Sequence, residues 1–281
     1  MNTLLLMFSI VMPAQQADLD AQLYEAARTL QFEETERLLK AGAKVGARNP
    51  EMPGLGSALF WIAGIPMYDL GRAEGGARMV RLLVANGADV NERSDIGHGL
   101  TPLGSAASKM NTTVAKALIE LGAGLNIPSE WLEGPVWVRT DPLHMALTTS
   151  YAKNEWADQD AMVELLLRAG ADPNRYSTRE RTLPLNIAAY WGRKKQVDLL
   201  LDHGARVNRR QTQVDGIGSN PYEYAALHAA CLRNTPENAD VVQLLLKRGA
   251  DPTLTDGIGR TPLQIASQKG FDLILEALGD S

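Results

Sequence analysis

Thr101–Asn126 reads TPLGSAASKMNTTVAKALIELGAGLN, and its two halves follow different rules. Thr101 is suited to cap a helix by accepting a backbone N–H, and Pro102 suits the first helical turn. Leu103 and the pair Ala106–Ala107 then give a short helix with a narrow face of small residues, able to approach a neighbouring helix closely. The segment around Leu118 and Ile119 forms a second helix with a broader apolar face. Gly122 ends it as a left-handed C-cap, and a polar turn leads on through Asn126. Neither helix can bury its apolar face alone.

The same two phrases alternate along the chain. The second-helix phrase recurs as LLKAGA to Ala43, LLVANGADVN to Asn91, LIELGAGLN to Asn126, LLLRAGADPN to Asn174, LLLDHGARVN to Asn208 and LLLKRGADPT to Thr253. The first-helix phrase recurs as SALFWIA from Ser57, TPLGSAA from Thr101, DPLHMAL from Asp141, LPLNIAA from Leu183, AALHAAC from Ala225 and TPLQIAS from Thr261. Such self-similarity marks an array in which each unit covers its neighbour's apolar face, giving one continuous core with contacts only between neighbours.

The two-part phrase resembles the ankyrin repeat, with its T-P-L-H-x-A signature and 33-residue period. The resemblance covers nearly everything from Asp18 to Ser281. It implies an all-α repeat solenoid of about seven helix–turn–helix units joined by β-hairpin-like fingers. Residues 18–48 read as an N-terminal capping unit, 49–259 as five repeats with insertions, and 260–281 as a C-terminal capping unit. Arrays built only of helix pairs lack the Gly-Ala-Asp-Val-Asn approach to a hairpin.

Two landmarks measure each unit: the Leu of the first phrase and the Gly closing the second helix. They stand 19 residues apart in Leu23–Gly42, Leu103–Gly122 and Leu185–Gly204, as the ankyrin pattern implies. Leu59–Gly87, Leu143–Gly170 and Leu227–Gly249 span 28, 27 and 22, which places extra residues between the helices near Ile65–Ala77, Thr149–Gln159 and Leu232–Asn238. The return from Gly to the next Leu takes 14 residues after Gly249, but 21 after Gly122 and 23 after Gly204. Two fingers are therefore lengthened.

In ankyrin arrays the fingers and first helices line the concave face, where partners usually dock. The long fingers hold Trp131, Trp137, Tyr222 and Tyr224. Tyr190–Trp191 end the first helix of the fifth unit, and alignment puts Trp61 on the concave side of the second. Tyr and Trp are the residues most enriched at binding hot spots. Each finger aromatic has a second use, pinning its own finger to the array; taken as a cluster they point to binding. Arg206, Arg209 and Arg210 are expected at the rim.

Charge restricts the partner. The formal net charge is −5, which disfavours nucleic acid as a general partner. Between Arg168 and Arg210, however, ten Lys or Arg face four acids, a local balance of +6, leaving −11 elsewhere. A basic middle in an acidic chain implies a protein partner with an acidic patch. The alternative is a solvated outer face, since Arg193, Lys194 and Lys195 sit at a helix–helix turn.

No catalytic, cofactor or metal residues are assigned. His144 and His228 fall in the repeat phrases, His203 precedes the capping Gly204, and His98 lies in a turn. None has the spacing of a metal site. Cys231 takes the place of a packed Ala, and a lone cysteine gives no internal disulfide framework. Neither a phosphate-cradling glycine motif nor a G-x-S-x-G elbow is present. An enzyme would need acids or His converging in the inserts, such as Asp69, Glu74 and His98.

Leu4–Met12 (LLLMFSIVM) is almost wholly apolar, is too short to span a bilayer, and leads into Pro13 and Ala14. This reads as a signal peptide over residues 1–17, with cleavage after Ala14 or Ala17, although no Lys or Arg precedes it. The other reading is the first helix of an intracellular protein. The expectation is a monomeric, exported, non-enzymatic adaptor or inhibitor acting in the periplasm or outside the cell. Because some exported bacterial ankyrin proteins neutralise a toxin enzyme, an immunity role is one form of it.

Overall fold

A computed structural model describes residues 13–49, 51, 54, 56–65, 70–95, 99–133, 136–148, 156–177, 182–211 and 223–279. Within them seven helix pairs follow one another. They are α1 (Pro13–Arg28) and α2 (Phe32–Lys40); α3 (Ala58–Ala63) and α4 (Leu70–Ala85); α5 (Pro102–Ser108) and α6 (Thr112–Glu120); α7 (Pro142–Thr148) and α8 (Trp156–Ala169); α9 (Pro184–Tyr190) and α10 (Lys194–Asp202); α11 (Ala226–Ala230) and α12 (Pro236–Lys247); and α13 (Pro262–Lys269) and α14 (Asp272–Gly279). First helices pack on first helices and second on second, from α1·α3 through α11·α13 and from α4·α6 through α12·α14. The result is the two-layer solenoid that the phrases predict.

Local chemistry starts and stops these helices. The Thr101 hydroxyl accepts from Gly104 N at 3.1 Å, and Thr261 forms a reciprocal capping box with Gln264. The glycines closing the second helices, from Gly42 to Gly249, have φ between 85° and 103°, a region that L side chains rarely adopt. Leu59, Leu103, Leu143, Leu185 and Leu227 are buried in one core cluster that runs along the array from Tyr24 to Ala277.

From the second unit to the sixth, polar side chains tie each unit to the next. The asparagine ending the second phrase accepts a backbone N–H from the following unit: Asn91 from Gly124, Asn126 from Asp172, Asn174 from Arg206 and Asn208 from Asp251, at 2.8–3.1 Å. At the opposite edge, Asn111 Nδ2 donates to Ile65 O at 2.8 Å and Arg193 Nη1 to Leu147 O at 2.6 Å. The carbonyls left over at the ends of the first helices thus find donors in the unit that follows.

The described parts of the inserts are largely helical. Helices α4, α8 and α12 are 16, 14 and 12 residues long, against 9 for α2, α6 and α10. Much of the added chain lengthens the second helix at its N-terminal end, because each residue joining a helix satisfies its own backbone groups. Gln159, counted within an insert, is buried in α8 and donates Nε2 to Ala146 O at 2.6 Å. Ala73 and Ala77 are buried in α4. Residues 66–69 and 149–155 lie outside the described set.

The first long finger is an antiparallel ribbon of β1 (Ser129–Glu133) and β2 (Val136–Thr140), pairing Ser129 with Thr140 and Glu133 with Val136. Most of the second, residues 212–222, is not described. Among the described residues no helix is long and apolar enough to cross a membrane; Leu4–Met12 lies outside them.

Candidate protein-binding surface

Five and six residues beyond each repeated Leu, the chain leaves the first helix and turns toward the second. In most units these positions hold small or polar residues such as Ser108 and Thr148. In the fifth they hold Tyr190 and Trp191, which are 36% and 46% exposed. Their rings meet edge to face, with centroids 5.2 Å apart and planes at 84°. Arg233 comes from the matching position of the next unit. Its guanidinium lies 4.8 Å from the Trp191 ring centroid and 5.6 Å from that of Tyr190.

The backbone beneath this pair is held from the sixth unit. Asn238 is buried, and its Nδ2 lies 3.1 Å from the carbonyls of Ala189 and Tyr190 and 3.2 Å from that of Ala230. Gly192 closes the turn at φ 68°, so tightly that a Cβ there would come within 2.9 Å of Glu237 Cβ and 3.1 Å of Asn238 N. The aromatic pair therefore stands on a fixed platform. Asn238 and Arg233 escape a reading based on residue type; counting from Leu227 puts Arg233 where Trp191 stands in its unit.

The other expected site residues separate. Trp61 is 40% exposed, with Arg28 5.7 Å from its ring. It lies three units from Trp191, roughly 25–30 Å at the usual spacing of packed helices. Trp131 and Trp137 are placed by backbone alone, opposite Val138 and Leu132 in the ribbon, and their side chains are outside the described set. So is all of Tyr222. Tyr224 packs against the core, and its carbonyl accepts from Gln211 N at 3.2 Å and Asn186 Nδ2 at 3.0 Å. That is the pinning role.

Arg206 and Arg209 face Asn174: Arg206 N donates to its Oδ1 at 2.9 Å, and Arg209 Nη1 donates to its carbonyl at 2.6 Å. Arg210 stands 3.8 Å from Glu223.

The +6 window is largely neutralised in three dimensions. Arg168 pairs with Glu164, Arg175 with Asp141, Lys194 with Asp240, Lys195 with Asp160 and Arg210 with Glu223, all acids outside the window. Burial lowers the Arg193 pKa to about 10, partly offset by Asp160, so it stays charged at neutral pH.

The titratable groups in the repeat phrases are structural. His144 is buried, with Nδ1 2.9 Å from Asp141 Oδ1 and Nε2 3.3 Å from Thr182 O. Burial raises the Asp141 pKa, but His144 and Arg175 outweigh it and hold the carboxyl below its ordinary value. In the sixth unit Ala225 replaces that Asp, and burial depresses the His228 pKa despite Asp256. Burial likewise pushes the Cys231 thiol up to about 12, which leaves it unreactive. Asp69 and His98 are outside the described residues. Glu74 lines an open groove of about 500 Å³ over the start of α6, where Glu120 is paired with Arg81 at 2.8 Å. Among the described residues no group of three or more His, Cys, Asp or Glu is placed to hold a metal.

Comparison with known proteins agrees with this architecture. The family pattern described as ankyrin repeats (3 copies) matches residues 71–176, and ankyrin repeats (many copies) matches 227–278, together more than half of the chain. The chain belongs to the ankyrin repeat family. It is similar to human ankyrin repeat and SOCS box protein 3, with 32% identity over 72% of this chain, and spans only 34% of that protein's length. It is 29% identical to the ankyrin repeat protein YahD of Escherichia coli K12 over 75% of this chain and 93% of that one. The ankyrin repeat domain of Bcl-3, a member of the IκB protein family, superposes with a TM-score of 0.65 at 24% identity, covering 92% of this chain and 98% of that one. Ankyrin repeats are protein-binding modules, built as stacks with extended concave surfaces and without the deep pocket usual in enzymes.

Proposed function

We propose that this ankyrin repeat protein is a non-enzymatic adaptor or inhibitor that grips a protein partner across its first helices and fingers. The observation that carries the reading is the exposed Tyr190–Trp191 pair, held rigidly by Asn238 on a face whose other helical positions are mostly small or polar. Rigid aromatics lose little side-chain freedom when covered, which suits them as anchors. Arg206 and Arg209 stand at the finger rim and are assigned to steering. Affinity capture with Trp191→Ala and Tyr190→Ala as paired baits tests this. A partner retained by the wild type is expected to be lost from both variants; equal recovery by all three would place the interface elsewhere.

The setting we assign is the periplasm or the extracellular space, on the strength of the apolar run Leu4–Met12 before Pro13 and Ala14. Neutralising a toxin enzyme there is one form of the inhibitor reading. N-terminal sequencing of the native protein is expected to begin at Gln15 or Asp18. An intact Met1 on a cytosolic product would remove the export assignment and leave the binding one standing.

A further inference from the structure

Cations on the second-helix layer are mostly paired, although exposed Arg78, Lys116 and Lys247 make no ion pair among the described residues, Arg78 lying over the Phe32 ring instead. On the second-helix layer, Arg37, Arg81, Arg168, Lys194, Lys195 and Arg248 each lie within 4 Å of a carboxylate, on their own helix or on a neighbouring one. Along the row where the first helices end, Lys109, Arg233 and Lys269 make no ion pair among the described residues. All three stand six residues beyond their repeated Leu, as Trp191 does. Lys109 and Lys269 are exposed, and Arg233 is half-buried over the two rings. A cation at a helix C-terminus offsets the partial negative charge there, which accounts for Lys109 and Lys269 singly. It does not account for Arg233, which lies beyond the C-cap Cys231 and is drawn over the aromatics of another unit.

We infer that this row is a docking stripe for an extended acidic peptide segment of the partner, with carboxylates meeting Lys109, Arg233 and Lys269 and an aromatic or aliphatic side chain covering Trp191. The inference rests on the proposed binding face and specifies what that face reads. Charge complementarity selects the occupant: a positive, aromatic stripe on a chain of net charge −5 attracts anions locally and repels polyanions over the whole surface. Length follows from the stack. From the third unit to the seventh is four spacings of about 8–10 Å, or about 32–40 Å. An extended chain at about 3.3 Å per residue covers that with roughly 10–12 residues.

Selection from a random 12-residue peptide display library tests the inference on the full chain. The baits are wild type, Trp191→Ala and the triple variant Lys109→Glu, Arg233→Glu, Lys269→Glu, each with its helicity and melting checked. Peptides retained by wild type are expected to be enriched at least threefold in Asp and Glu, and to be lost on the triple variant, which selects Lys and Arg instead. Affinity of a recovered peptide, read by fluorescence anisotropy, is expected to fall at least fivefold between about 50 and 300 mM salt. Peptides that depend on Trp191 but carry no acidic bias would overturn the acidic stripe and leave the binding face intact. Peptides indifferent to Trp191 would overturn both. Tighter binding of a labelled single-stranded oligonucleotide than of any acidic peptide would reassign the stripe to nucleic acid and defeat the inference.

Discussion

The fifth and seventh units share one phrase, PLNIAAYWG against PLQIASQKG, and differ in what covers it. Leu185 is 3% exposed and Leu263 is 51% exposed, although both follow a helix-starting proline. The sixth unit lies over the fifth, whereas among the described elements α13 packs chiefly on α11 and α14. Burial here belongs to the neighbour as much as to the residue. The same contrast reaches the surface: Tyr190 and Trp191 stand where the seventh unit has Gln268 and Lys269, and only the former pair is braced by a buried asparagine from the following unit.

The largest expected effect sharpens that contrast directly. Leu185→Ala should cost about 2–5 kcal/mol, the usual range for a buried leucine left as a cavity. Leu263→Ala should cost under about 1 kcal/mol, because half of that side chain is already in water. Urea unfolding of the two variants checks the ratio; equal losses would mean that Leu263 is covered in solution.

Next comes the brace. Asn238→Ala leaves the carbonyls of Ala189, Tyr190 and Ala230 short of a donor inside the stack, at a cost of about 1–3 kcal/mol. Hydrogen exchange should rise at the junction of the fifth and sixth units and stay unchanged in the second and third. Exchange that rises uniformly would refute the nearest-neighbour picture.

Trp191→Ala should divide stability from binding. It should change the unfolding free energy by less than about 0.5 kcal/mol, as a surface change does, while weakening the partner complex by about 2 kcal/mol. A stability loss as large as that of Leu185→Ala would make Trp191 a packing residue.

The smallest effect concerns pH, and it contrasts His228 with Asp141 of the matching phrase two units earlier. The His228 pKa is depressed below 6.5 in the folded chain, so the unfolded chain takes up that proton first as pH falls. Stability should therefore decline as pH drops below about 6.5 toward the folded value, with a slope of at most about 1.4 kcal/mol per pH unit. Thermal melts of His228→Gln between pH 7.5 and 5.5 should lose that slope. In the fourth unit the depressed Asp141 pKa stabilises the fold above about 3.8, and that contribution disappears as pH falls through the folded value. Its window thus lies below that of His228.

The array was legible because its information is local. Thr101, Pro102, Ala106 and Gly122 each dictate their own backbone, and repetition multiplies a weak signal. The exposed pair at Tyr190 and Trp191 was legible for the same reason, since position within the unit locates the face. What escaped depends on which units meet. Lys194 finds Asp240 and Lys195 finds Asp160 across unit boundaries, so a charge excess counted along the chain dissolves in space. Lys109, Arg233 and Lys269, which make no ion pair among the described residues, are scattered through the sequence and share only a register. The inserts misled for a related reason. Length between landmarks does not distinguish a loop from added turns of helix, and Gln159, counted within an insert, lies in α8 with its side-chain amide on Ala146 O.

The asparagines that close four of the six second phrases have a consequence for interchangeability. Asn91, Asn126, Asn174 and Asn208 each grip a main-chain N–H of the following unit, whether that residue is Gly124, Asp172, Arg206 or Asp251. A joint that recognises only backbone does not discriminate between successors. Excising residues 127–174 would bring Asn126 up to Arg206 N, the same kind of partner that it holds at Asp172. At this joint the number of units is a free parameter, whereas side-chain seams such as Lys194–Asp240 and Lys195–Asp160 stay specific to the units that meet.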